Sequence, residues 1–153
     1  MYMENKIIEV KSMDTIIDEI ESLSSEGYRQ MIMCLMDRMG FAYSSDLPPV
    51  NLGCVGFVTV YSSAERHFLD STTYALTVGR TEDICDPLTV RVMREKLRPY
   101  EHGILIITGK FSDKVKKEAL KGNIKITLID GRKLVNLLAT FNMFGIYNAF
   151  GQL

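Results

Sequence analysis

GILIITGKFSDKVKKEALKGNIKITLIDGRKLVNLLATFNMFGI, residues 103–146, holds two apolar runs of strand length, each followed by a helical pattern. The first run, GILIITG at 103–109, has no polar alternation to offer solvent, so it predicts a strand buried on both faces and therefore interior to its sheet. Ser112 suits the N-cap of a helix over Asp113–Lys121, and Gly122 supplies its stop. ITLID at 126–130 reads as a second buried strand, after which Gly131 turns the chain into a helix from about Arg132 to Thr140 with Leu134, Leu137 and Leu138 facing inward. Strand, helix, strand, helix with fully apolar strands is the pattern of parallel pairing through crossover helices.

Towards the N-terminus the pattern changes. From Asp14 to Met39 apolar residues recur at three- and four-residue intervals, the stripe of an amphipathic helix with Gly27 as its expected break and Gly40 as its stop. Methionines at 31–39 fall on that stripe and read as core. FAYSS at 41–45 is a short strand candidate, and GCVGFVTVY at 53–61 and TTYALTVGR at 72–80 form an expected hairpin. Asp86–Pro87 opens a helix to about Leu97. The sum is a mixed α/β sheet in one domain spanning 1–153, with 1–26 as an acidic helical N-terminal extension.

A length of 153 residues suits a single core, and 46% hydrophobic with 24% charged residues is a globular composition that excludes disorder, collagen and coiled coil. No apolar run approaches the roughly 20 residues that cross a bilayer, and acids interrupt residues 1–10, so the expectation is a soluble, cytoplasmic chain. The three cysteines, Cys34, Cys54 and Cys85, lack metal or disulfide spacing, which fits a reducing compartment. Cys34 reads as a small buried hydrophobe, and His67 and His102 as surface or loop residues.

Net charge is only −1, but its distribution is uneven. Residues 1–90 carry 6 Lys+Arg against 14 Asp+Glu, residues 91–133 carry 12 against 5, and residues 134–153 carry none. The basic stretch is either a phosphate-contacting face or a set of solvated helix faces. The tail 141–153, with three Phe and a Tyr and no charge, is expected to pack on the body or on a second copy, with a homodimer preferred.

The 103–146 stretch resembles the C-terminal half of the Mrr-type restriction endonuclease domain: an apolar strand, Thr108-x-x-Phe111-Ser112, a helix, Leu128-Ile129-Asp130-Gly131 and a Leu-rich helix. GYRQMIMCLMDRMGF at 27–41 is similar to that family's first helix, so the resemblance covers 27–146. It implies the PD-(D/E)xK nuclease fold, a restriction-endonuclease-like mixed β-sheet flanked by helices. It also implies a Mg²⁺ site built from an Asp on the second strand and a Glu or Gln two residues before a Lys on the third. At the matching positions this chain has Gly56 for the Asp, Thr77 for the Glu or Gln and Gly79 for the Lys, while Arg29 replaces an acid on the first helix.

Gly carries no ligand, Thr77 offers a neutral hydroxyl and Arg29 opposes a cation, so no divalent-metal site is expected and no cofactor is required. The leading expectation is a catalytically silent domain that binds DNA or a partner subunit, with Arg80, Lys110 and Lys114 at the phosphates. One alternative is an active Mg²⁺-dependent endonuclease with relocated carboxylates, for which Asp70, Glu82 and Asp83 are the candidates, with Glu65 and Asp86 beside them. The other is an assembly or regulatory module without nucleic acid affinity.

Overall fold

The computed structural model describes residues 12–46, 56–62, 73–79, 86–97, 101–124 and 126–143. Among them are helices α1 (Met13–Glu21), α2 (Ser25–Arg38), α3 (Pro87–Lys96), α4 (Asp113–Ala119) and α5 (Gly131–Thr140). The strands are β1 (Phe41–Asp46), β2 (Gly56–Ser62), β3 (Thr73–Val78), β4 (His102–Ile106) and β5 (Ile126–Ile129). Each of these helices opens on a side chain that accepts a backbone N–H three residues on: Ser12, Ser24, Asp86, Ser112 and Asp130. Such caps satisfy donors that the first helical turn leaves without partners.

The five strands form one sheet in the order β1-β2-β3-β4-β5. β1, β2 and β3 are antiparallel neighbours, as the expected hairpin requires, whereas β3, β4 and β5 run parallel. β4 thus lies between two partners, in the interior position that its unbroken apolar run predicts. Alternate residues of that run serve opposite layers. Ile104 and Ile106 join Ile129 against α1, α2 and α5 in one core, which includes the fully buried Tyr28, Met31, Ile32, Leu35 and Leu138. Leu105 and Ile107 join Ile126 against α3 and α4 in the second, with Val90, Met93 and Val115. The described elements therefore form a three-layer helix–sheet–helix sandwich in which β4 is apolar because both of its faces are covered.

Several expectations need correction. The long helix 14–39 breaks at Ser22–Ser24 and not at Gly27, which lies inside α2 and donates its N–H to Ser24 Oγ at 2.9 Å. Serine here supplies the cap that restarts the helix, so the break precedes the glycine. β2 runs on to Ser62, with residues 53–55 outside the described ones, β3 ends at Val78, and α5 begins one residue early, at Gly131. His102 is half-buried at the head of β4 and not a loop residue, and Cys34 is half-buried against the first core. The stops at Gly40 (φ 97°) and Gly122 (φ 78°) stand, both in the left-handed region that favours glycine.

The start of the apolar tail folds back on the body. Met143 is fully buried, its N–H donates to the Leu138 carbonyl at 2.7 Å, and Phe141 packs against the first core. Arg38 Nη1 donates to the carbonyls of Phe141 at 2.9 Å and Asn142 at 3.2 Å, tying the end of α5 to the end of α2. Residues 144–153 and 1–11 lie outside the described residues. No described helix is long and apolar enough to cross a membrane.

Candidate nucleic-acid interface

The candidate site lies where the parallel strands end. Gly79 follows β3 and donates its N–H to the Ile106 carbonyl at 2.8 Å, which fixes it beside the last residue of β4. Across the β2–β3 pair, Gly56 is the Cα partner of Val78 and Phe57 that of Thr77. Gly56, Thr77 and Gly79 are therefore drawn within a residue of one another at one end of the sheet. This end is where open α/β sheets place their ligand sites.

The loop that leaves β4 at this end is held by the turn between β5 and α5. Ile107 donates to the Ile129 carbonyl at 3.0 Å and Gly131 to the Gly109 carbonyl at 2.9 Å. A β-carbon at Gly131 would stand 2.1 Å from the Thr108 carbonyl oxygen. This close approach, together with the Asp130 cap on Lys133 N at 2.9 Å, explains the Asp130-Gly131 pair physically: the first residue starts the helix and the second lets it touch the loop. Thr108 is buried, and the loop carries Lys110, exposed, to the start of α4, where Lys114 is exposed one turn on. Arg29 is half-buried in the second turn of α2. Arg80, Glu65, Asp70, Glu82 and Asp83 lie outside the described residues; Asp86 caps α3 through Thr89 N at 3.1 Å.

Part of the basic excess of 91–133 is spent internally. Glu118, 4% exposed between α3 and α4, accepts from Arg94 Nη1 at 3.0 Å, Arg91 Nε at 3.4 Å and Lys121 Nζ at 3.0 Å. The Lys121 ammonium first, then the Arg94 guanidinium, hold its carboxyl well below the usual range, at about 2. Arg94 also donates through Nη2 to the Glu118 carbonyl, so one side chain binds both the charge and the end of α4. In the sequence these cations count only towards the basic excess of 91–133. The signal available was the i,i+3 spacing of Arg91 with Arg94 and of Glu118 with Lys121, which places each pair on one helix face. Lys110, Lys114, Lys116, Lys117, Arg132 and Lys133 remain exposed.

Hard cations take carboxylate oxygens, and Gly56, Thr77 and Gly79 provide none. Among the described residues, no three His, Cys, Asp or Glu side chains stand close enough to share a metal ion.

An α/β sheet that passes from an antiparallel hairpin to parallel strands, flanked by helices on both faces, is the architecture of restriction endonucleases. The family model for the Mrr restriction endonuclease catalytic domain matches residues 20–138, and the chain belongs to that family. Among solved structures, it is similar to the MspJI restriction endonuclease in complex with a 27-mer oligonucleotide, with a TM-score of 0.54 and 14% identity over 90% of this chain. The chain spans about a third (32%) of that protein's chain. No curated protein matches it.

Proposed function

We propose that this restriction-endonuclease-fold domain binds duplex DNA without cleaving it, as a binding or partner subunit in DNA restriction or processing. The observation that carries the reading is the β2–β3 register. It sets Gly56 opposite Val78 and Phe57 opposite Thr77 at the end of the sheet, which supports matching Gly56, Thr77 and Gly79 to the positions where the family's chemistry uses two metal-binding side chains and an amine. Fold and strand geometry are retained while every group that would bind the ion or orient the attacking water is missing from those positions. The exposed Lys110 and Lys114 border the same end and supply the charge that phosphates require. The similar MspJI structure was solved with an oligonucleotide, which supports the DNA side of the proposal.

Fluorescence anisotropy of a labelled duplex against salt tests it. Each phosphate neutralised contributes about 0.9 to the slope of log affinity against log salt, so changing Lys110, Lys114 and Arg80 to Ala should lower that slope by roughly 2 to 3. Duplex binding that the triple change leaves intact, or no binding at low salt, refutes the assignment. The proposed assembly is a homodimer, and light scattering that returns a monomer mass at the concentrations of the binding assay contradicts it.

A further inference from the structure

At the β5 edge of the sheet, away from Gly56 and Gly79, lies a groove of about 350 Å³ between α4, β5 and the start of α5. Its walls include Phe111, Leu120 and Leu128, and its charged lining is Lys116, Lys133 and Asp130. Leu120 is 84% exposed, a large apolar side chain left in water at the mouth of an apolar groove. Among the described residues β5 pairs on one side only, with β4. The Ile129 carbonyl accepts from Ile107 and so faces β4; by strand alternation the N–H and C=O of Leu128 face outward. The Leu128 carbonyl accepts from the Lys133 ammonium at 3.4 Å, a long contact from an exposed, flexible side chain. The Asp130 carboxylate, in contrast, caps α5 at the Lys133 N–H.

We infer that this edge is a docking site for an extended acidic segment of a partner protein, which adds a strand to β5. An apolar residue of the segment covers Leu120 and Leu128, its backbone pairs with Leu128 in place of the lysine, and flanking carboxylates meet Lys116 and the displaced Lys133. Charge decides between occupants. A second copy paired edge to edge about a two-fold axis would bring like lysines together, and duplex DNA would satisfy the lysines while leaving the apolar floor uncovered. An acidic, apolar strand answers both features. This inference does not rest on DNA binding through Arg80, Lys110 and Lys114, none of which lines the groove.

The test uses the full chain and two capped, fluorescein-labelled peptides, Glu-Asp-Val-Leu-Val-Asp-Glu and its counterpart with Lys at each acidic position. The acidic peptide should bind saturably and the basic one should not. Lys116→Glu and Lys133→Glu, both at exposed positions, should each weaken binding by about tenfold while leaving the melting curve in place. Leu120→Ser should weaken it as well, and hydrogen exchange at the Leu128 amide should slow when the peptide is bound. Equal binding of the two peptides, no binding of either, or indifference to both charge reversals overturns the proposal. So does a Leu128 amide already protected in the free chain, which would mean that the chain's own residues or a second copy occupy the edge, or displacement of the peptide by duplex DNA in competition for the groove.

Discussion

Replacing Gly131 with Ala puts a methyl carbon 2.1 Å from the Thr108 carbonyl oxygen and 3.0 Å from its carbon, contacts that real β-carbons essentially never show below 3.0 Å. The obstructing atoms are backbone, and they belong to the loop that leaves β4. To restore ordinary contact the turn at Asp130–Gly131 must retreat by on the order of 1 Å, which strains the Gly131 N–H bond to Gly109. Forcing extra atoms into a packed site costs about 1–3 kcal/mol, and a backbone obstacle belongs at the upper end. Against this, Ala restricts the unfolded chain and returns about 0.4–1 kcal/mol. The net expectation is a loss of about 2 kcal/mol, or a fall in Tm of roughly 4–8 °C for a domain of this size, read by circular dichroism.

Gly103→Ala is the control. Its β-carbon meets Met93 Cε at 3.0 Å and Met93 Sδ and Leu97 Cδ1 at 3.2 Å, the ends of side chains that can turn aside. Its net effect should stay within about 1 kcal/mol because the gain of a strand residue over glycine offsets the squeeze. If Gly131→Ala melts no lower than Gly103→Ala, the tight union of the β5–α5 turn with the β4 loop is refuted, and with it the account of how Lys110 is held.

Ile106→Asp should give no soluble, cooperatively melting protein, since a carboxylate there would be enclosed in the first core without a counter-ion; a folded variant would place β4 at an exposed edge. Glu118→Gln should lower Tm by several degrees at neutral pH. The folded-state pKa of Glu118 lies near 2 against an ordinary 4.5, so its stabilisation is complete above about pH 4.5 and fades as pH falls towards 2. Melting curves across that range should show the two proteins converge at the acid end, and a constant gap would mean that packing rather than charge makes the α3–α4 joint.

Much of the second half was legible because its local signals agree with each other. The unbroken Ile-Leu run of β4 states that both faces are covered, and Ser112 and Asp130 mark helix starts by their side-chain chemistry. The helix break near Gly27 was misplaced because glycine is the more conspicuous interruption, whereas Ser24 makes the new cap at the physical boundary. The joint at Glu118 was illegible for a different reason. Arg94 and Glu118 are separated by 24 residues, and only the packing of α3 on α4 brings them to 3.0 Å. At the candidate site, Gly56, Thr77 and Gly79 were matched through the family pattern, and the β2–β3 register sets Gly56 opposite Val78 and Phe57 opposite Thr77. The segments that carry Arg80, Asp70, Glu82 and Asp83 lie outside the described residues.

In the proposed function the nuclease scaffold is kept and its cleavage chemistry is lost. Incubating the purified chain with supercoiled plasmid in Mg²⁺ or Mn²⁺, and following conversion to nicked and linear forms, tests that claim most directly. The expected result is intact plasmid with either ion at protein concentrations that shift the DNA in the absence of metal. Metal-dependent nicking by the unaltered chain, lost when Asp70, Glu82 or Asp83 is changed to Ala, would contradict it and establish a relocated active site.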